Sequence, residues 1–137
     1  MTQIKVSREF MSAVQQAIKA AMACDDEAVR FMVAYVPIYA QYAATPAMAQ
    51  AGGCINCTYH GLWIDDWPSF PAAPHGLIFL FEAGIRSQGG DLVENTYGVL
   101  LHEMGHALQR DHVLDAMRQM KAAAMYTPRG GCRACPG

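Results

Sequence analysis

Charge is scarce in this sequence, and neither sign dominates: 16% of the 137 residues are charged and the formal net charge is -2. Lysine and arginine are scattered, so there is no basic stripe to neutralise a phosphate backbone, and nucleic acid is not an expected partner. An apolar leader is lacking too. Gln15, Gln16 and Lys19 interrupt MTQIKVSREFMSAVQQAIKAAMA, which therefore offers neither a secretory h-region nor a membrane span, and a cytoplasmic location is expected. There is no internal repeat. Apolar residues are abundant at 53%, a composition suited to a compact fold, and the length suits one domain over residues 1–137. The cysteine count of five is odd, so one at least stays unpaired within the chain, and in a reducing compartment thiols or metal ligands are expected before disulfides.

Ser7 can cap a helix in which Phe10, Met11, Val14, Ala17, Ile18, Ala21 and Met22 recur at three- and four-residue steps, ending near Cys24 to Asp26. VRFMVAYVPIYAQY is rich in β-branched and aromatic residues and predicts a strand from Val29 to Val36, stopped by Pro37. Residues 43–53 read as a loop or a short helical turn, YHGLWID as a strand, and the Pro-rich DDWPSFPAAPHG as a long turn. GLIFLFEAGI is a continuous apolar run, either a strand buried on both faces or the entry to a short helix. Asp91, with Glu94 three residues on, predicts the capped start of a helix through DLVENTYGVLLHEMGHAL. VLDAMRQMKAAAM is again helical in pattern, and PRGGCRACPG should be irregular.

The chemistry lies in His102-Glu103-Met104-Gly105-His106, which fits H-E-x-x-H. Residues four apart on a helix differ by about 40° in direction, so both imidazoles leave the same face and can share one ion. Glu103 stands about 100° round from His102, aside from the ligand pair but near enough to reach a water beside the ion. Zinc acidifies such a water, and a carboxylate there can take its proton while a polarised carbonyl is attacked. Val93, Tyr97, Leu100, Leu101, Met104 and Leu108 form a stripe roughly opposite the histidines, which lets the helix bury its back and show His102 and His106 to a cleft. The residues thus predict a zinc-dependent peptidase with Glu103 as general base. A non-catalytic zinc-binding or partner-binding module is the alternative.

His112 stands ten residues after His102, where longer H-E-x-x-H sites place a third ligand. Such sites turn out of the helix at a glycine, and Gln109 occupies that position here. On an unbroken helix a residue ten further on leaves about 80° away from the first, so His112 requires a turn between Ala107 and Asp111. Asp111 and Asp115 are the fallback ligands. Cys54–Cys57 and Cys132–Cys135 are two C-x-x-C pairs. Three readings stay open for them: a structural four-cysteine zinc, independent thiols, or disulfides. Cys24 reads as a small buried residue, His60 as structural though near enough to Cys57 to ligate, His75 as solvated, and Tyr97 as core.

Taken together, Tyr59 to Met117 resembles the minimal zincins, compact zincin-like metallopeptidases of bacteria. HGLWIDDWP is similar to that family's Leu-Gly-Leu-aromatic strand and Pro-rich turn, and LIFLFEAGI with its trailing GGDL to its second strand. The H-E-x-x-H helix follows, with a third ligand ten residues after the first histidine, usually aspartate and here His112. Gln109 in place of glycine and the cysteine pairs depart from the pattern. The resemblance implies an α+β fold in which a small sheet packs against the H-E-x-x-H helix and an N-terminal helix. It implies little about substrate; the reading of the site itself is hydrolysis of an amide bond in a peptide or protein, with the strand around Leu77 to Phe81 lining the cleft.

Overall fold

Ser7 begins the first helix as expected: its hydroxyl accepts a hydrogen bond from the Phe10 N–H at 3.0 Å, and α1 runs Arg8–Met22. The computed structural model describes residues 4–65, 67 and 73–113, with side chains as far as Gln109. Phe10, Ala13, Val14, Ala17 and Ala21 form the buried face of α1. Three of these are alanines, so α1 can lie close against the last described helix, α5 (Leu92–Val113), its principal neighbour.

A second helix replaces the strand expected over 29–36. Asp26 accepts from the N–H groups of Ala28 and Val29 at 2.9 and 3.4 Å and starts α2, Glu27–Tyr35. Val29, Met32 and Val36 are the buried positions, a helical spacing that outweighs the strand propensity of the β-branched and aromatic residues. The helix ends where it does because the residue before a proline is driven extended, as Val36 is at φ -96°, ψ 119°. Beyond Pro37 a strand does form, β1, Ile38–Gln41. It lies at the sheet edge, and Pro37, lacking an N–H, contributes only its carbonyl, which accepts from Ile78 N–H at 2.9 Å.

Thr45 caps the short α3, Pro46–Ala51, which leads into a loop and then β2, Gly61–Ile64. The apolar run at 77–87 satisfies both of its readings in succession: β3 is Leu77–Phe81 and α4 is Glu82–Ser87. The sheet order is β1-β3-β2, with β1 parallel and β2 antiparallel to the central β3. Every residue of β3 is buried, and its alternation divides the interior. Ile78 and Leu80 join the core built with α1, α2 and α5, while Leu77, Phe79 and Phe81 pack with Met48 and Leu62 on the other face. The connection into β3 turns at Gly76 with φ 85°, where a Cβ would collide with the Trp63 indole; that indole donates to the His75 carbonyl at 2.9 Å.

Glu82 ties the start of α1 to the exit of β3. Its carboxylate accepts from Ser7 N–H and Oγ–H at 2.8 and 2.7 Å and from Arg86 Nε–H at 2.8 Å, and Arg86 also reaches Glu9 at 2.6 Å. Asp91 caps α5 as predicted, accepting from Glu94 N–H at 3.1 Å. Tyr97, Leu100, Leu101, Met104 and Leu108 of the expected stripe are buried, and Val93 is partly so. None of the described helices is long and apolar enough to cross a membrane. Beyond Val113, the rest of the helical pattern that runs to Met125, the irregular tail, Asp115, Cys132 and Cys135 lie outside the described residues.

Candidate metal centre

The fold sets α5 across β2 at very short range, and Gly61 is the reason. A Cβ there would come within 2.7 Å of Val99 Cγ1 and 3.1 Å of Glu103 Cγ, so only glycine lets the helix settle at this depth. Val99 and Glu103 are one turn apart and face the strand, whereas His102 and His106 leave the helix on the solvent-facing side, His102 half-exposed and His106 exposed. The two imidazoles stand with ring centroids 5.1 Å apart and planes at 84°. One ligand atom from each of His102, Glu103 and His106 lies within 4.8 Å of the others. Two nitrogens bound to one zinc at about 2.0–2.1 Å are at most roughly 4.2 Å apart, so modest side-chain rotation brings the pair to a shared ion. Burial first, and then the neighbouring His102, lower the pKa of His106 and favour the neutral imidazole that a metal requires. The residues therefore fit a divalent ion of the zinc type.

Glu103 is 6% exposed, and burial pushes its pKa up to about 7, against which one main-chain hydrogen bond from Trp63 acts. That bond follows from the pairing of β2. The His60 carbonyl accepts from Phe81 N–H at 2.9 Å, and in an antiparallel ladder the alternation then turns the N–H and C=O groups of Gly61 and Trp63 outward. Trp63 N–H is the outward donor that meets the carboxylate. A carboxyl near half-ionisation beside two imidazoles is suited to moving a proton in either direction at neutral pH.

These groups share a cleft of about 780 Å³. Its walls are Gly61, Leu62 and Trp63 of β2; Val99, His102, Glu103 and His106 of α5; the loop from Cys57 to His60; and Ala51, Gly52 and Gln88. The strand expected to line it, Leu77–Phe81, is instead the buried centre of the sheet, and the outer strand β2 takes that position. His60 also faces this cleft, with Nδ1 2.8 Å from Gln88 Nε2. His75 is partly buried and packs edge-on to Phe31 at 5.4 Å rather than being simply solvated.

Two site expectations are corrected. The turn expected between Ala107 and Asp111 is absent, because α5 is continuous to Val113; the side chains of Asp111 and His112 lie outside the described residues. Of the three readings of Cys54 and Cys57, the structure shows the disulfide: the two sulfurs are bonded to each other, which removes both as thiolate donors to a four-cysteine zinc. Cys24 is buried as expected and is itself disulfide-bonded. In the sequence Gly61 and Trp63 are legible only as members of the YHGLWID strand, since a main-chain donor leaves no mark in residue type.

No family model, no curated protein and no solved structure matches the chain. Its own geometry defines a His-Glu-x-x-His cluster on a helix, beside a small mixed sheet, with the donor set of a zincin-like metal site.

Proposed function

We propose that the protein is a zinc-dependent peptidase of the minimal zincin type. The observation that supports it most is the placement of Glu103: buried, with a pKa raised to about 7, next to two imidazoles that open into a cleft bounded by an edge strand. His102 and His106 would hold the ion. A zinc ion there supplies Lewis acidity, polarising a carbonyl and acidifying water.

The remaining steps belong to the chain. The outward N–H and C=O of Gly61 and the C=O of Trp63 offer an extended peptide a strand edge to pair with, which would set its carbonyl over α5. Glu103 takes a proton from the attacking water as the new C–O bond forms and returns it to the amide nitrogen as the C–N bond breaks. Trp63 N–H holds the carboxylate toward the cleft between these transfers. Replacing Glu103 with alanine should lower cleavage of a peptide library by about 10²–10⁴-fold while zinc stays at the wild-type stoichiometry. Unchanged cleavage would refute the mechanism. Bound zinc with no cleavage by wild-type protein would favour a non-catalytic metal-binding module.

A further inference from the structure

The Cys54–Cys57 disulfide has no role in the proposed hydrolysis, yet Cys57 forms part of the wall of the same cleft as His102, Glu103 and His106. As a stabilising device the bond is weak. A cross-link between residues three apart closes a very short loop and constrains the unfolded chain least. The two cysteines are also held unequally. Cys54 N–H is shared between the Tyr59 hydroxyl at 3.0 Å and the Ala49 carbonyl at 3.1 Å, and the Tyr59 hydroxyl in turn donates to Ala49 at 3.1 Å. Cys57 is exposed, and among the described residues its hydrogen bonding is a single N–H to the Cys54 carbonyl at 3.3 Å. Gly53, at φ 97°, and the exposed Ile55 and Asn56 leave the segment between α3 and Cys57 without packed side chains to hold it.

We propose that Cys54–Cys57 is a thiol–disulfide exchange site, and that its reduction releases the Cys57 thiolate into the cleft as a ligand for the metal held by His102 and His106. The inference rests on the reading of that cleft as a metal centre. A dithiol reductant attacks the exposed Cys57 sulfur, and Cys54 leaves as a thiolate. The second thiol of the reductant then attacks its own sulfur in the mixed disulfide, freeing Cys57 and leaving the reductant as a disulfide. Two electrons pass from reductant to protein, and the two protons go to solvent or to the sulfurs. Cys54 stays on its Tyr59 and Ala49 anchors. Cys57, free of its cross-link, turns into the cleft, where a soft thiolate is a strong ligand for zinc or cobalt. Oxidation withdraws that ligand and leaves the position open to water and substrate.

Cobalt(II) in place of zinc reports on both claims without recourse to activity. Visible d–d absorption of the full-length protein reports cobalt on the histidines, and a near-ultraviolet thiolate-to-cobalt charge-transfer band reports sulfur ligation. The band should be absent in oxidised protein and rise on dithiothreitol treatment to one thiolate per cobalt. It should be present without reductant in Cys54→Ser and absent under all conditions in Cys57→Ser. Histidine-dependent d–d bands with no charge transfer on reduction, or a band that survives in Cys57→Ser, would overturn the inference and leave the metal centre standing. Failure to bind cobalt in either redox state would overturn both.

Discussion

Glu82 and Glu103 are buried almost equally, at 4% and 6% exposed, yet their surroundings push them in opposite directions. Burial raises the pKa of each. At Glu82 the hydrogen bonds from Ser7 and the Arg86 guanidinium outweigh it, and the carboxyl ends below its usual range. At Glu103 a single main-chain donor from Trp63 does not, and the group rises to about 7. Donor supply separates the two, together with the denser packing around Glu103. A carboxylate that joins two elements is surrounded by donors and stays ionised, whereas one left short of partners retains an affinity for protons that chemistry can use.

The largest effect expected from breaking the comparison is at Glu82. Substituting glutamine removes the charge that Ser7 and Arg86 are arranged around, and should cost about 3 kcal/mol of folding stability in urea titrations. Metal stoichiometry of the folded fraction should stay as in wild type, since Glu82 touches neither histidine. A loss below about 0.5 kcal/mol would show that the corner is not held by charge.

The pH dependence of the metal-free protein sharpens the contrast. Glu82, with its folded pKa below the ordinary 4.5, contributes stability that is present above that value and is lost as pH falls through the folded pKa. Glu103 has the opposite sign, because its folded pKa lies above the unfolded one. Stability is greatest below pH 4.5 and declines as pH rises to about 7, by an amount on the order of 3 kcal/mol at most. His106, lowered from 6.5, works against this by favouring the folded state as pH rises. The discriminating quantity is therefore wild type minus Glu103→Gln: the glutamine variant should gain stability over wild type between pH 5 and pH 8. Parallel profiles for the two proteins would show that Glu103 titrates normally.

Much of this site was legible in the chain because it is local. The imidazole pair and its carboxylate lie within five residues of one helix, the helix start was marked by Asp91 and Glu94, and Ser7 marked α1. What escaped was set by contacts between distant segments. The β-branched and aromatic content of 29–36 suggested a strand, although Asp26 and the spacing of Val29, Met32 and Val36 carried the helix. β1 hid behind Pro37 because its pairing partner lies forty residues away, with Ile38 opposite Ile78. The same sheet order moved the cleft wall from the apolar run of β3 to the shorter β2, a choice that periodicity does not encode. The continuation of α5 past Gln109 agrees with the missing glycine, which the demand for a third ligand had overridden.

The smallest substitution acts on the contact that makes Glu103 differ from Glu82. Gly61→Ala adds one methyl where Val99 Cγ1 and Glu103 Cγ already stand at 2.7 and 3.1 Å from its position. Overpacking of this kind costs about 1–3 kcal/mol, and the helix must lift from β2 to admit it. Glu103 would then draw away from Trp63 N–H and toward water, losing its lowering hydrogen bond but also the burial that dominates its pKa. The net shift should be downward, toward the ordinary value of 4.5. Carboxyl chemical shifts of metal-free protein through a pH titration give the midpoint directly. A midpoint that stays near 7 in Gly61→Ala would mean that the close approach of α5 to β2 is not what keeps Glu103 protonatable at neutral pH.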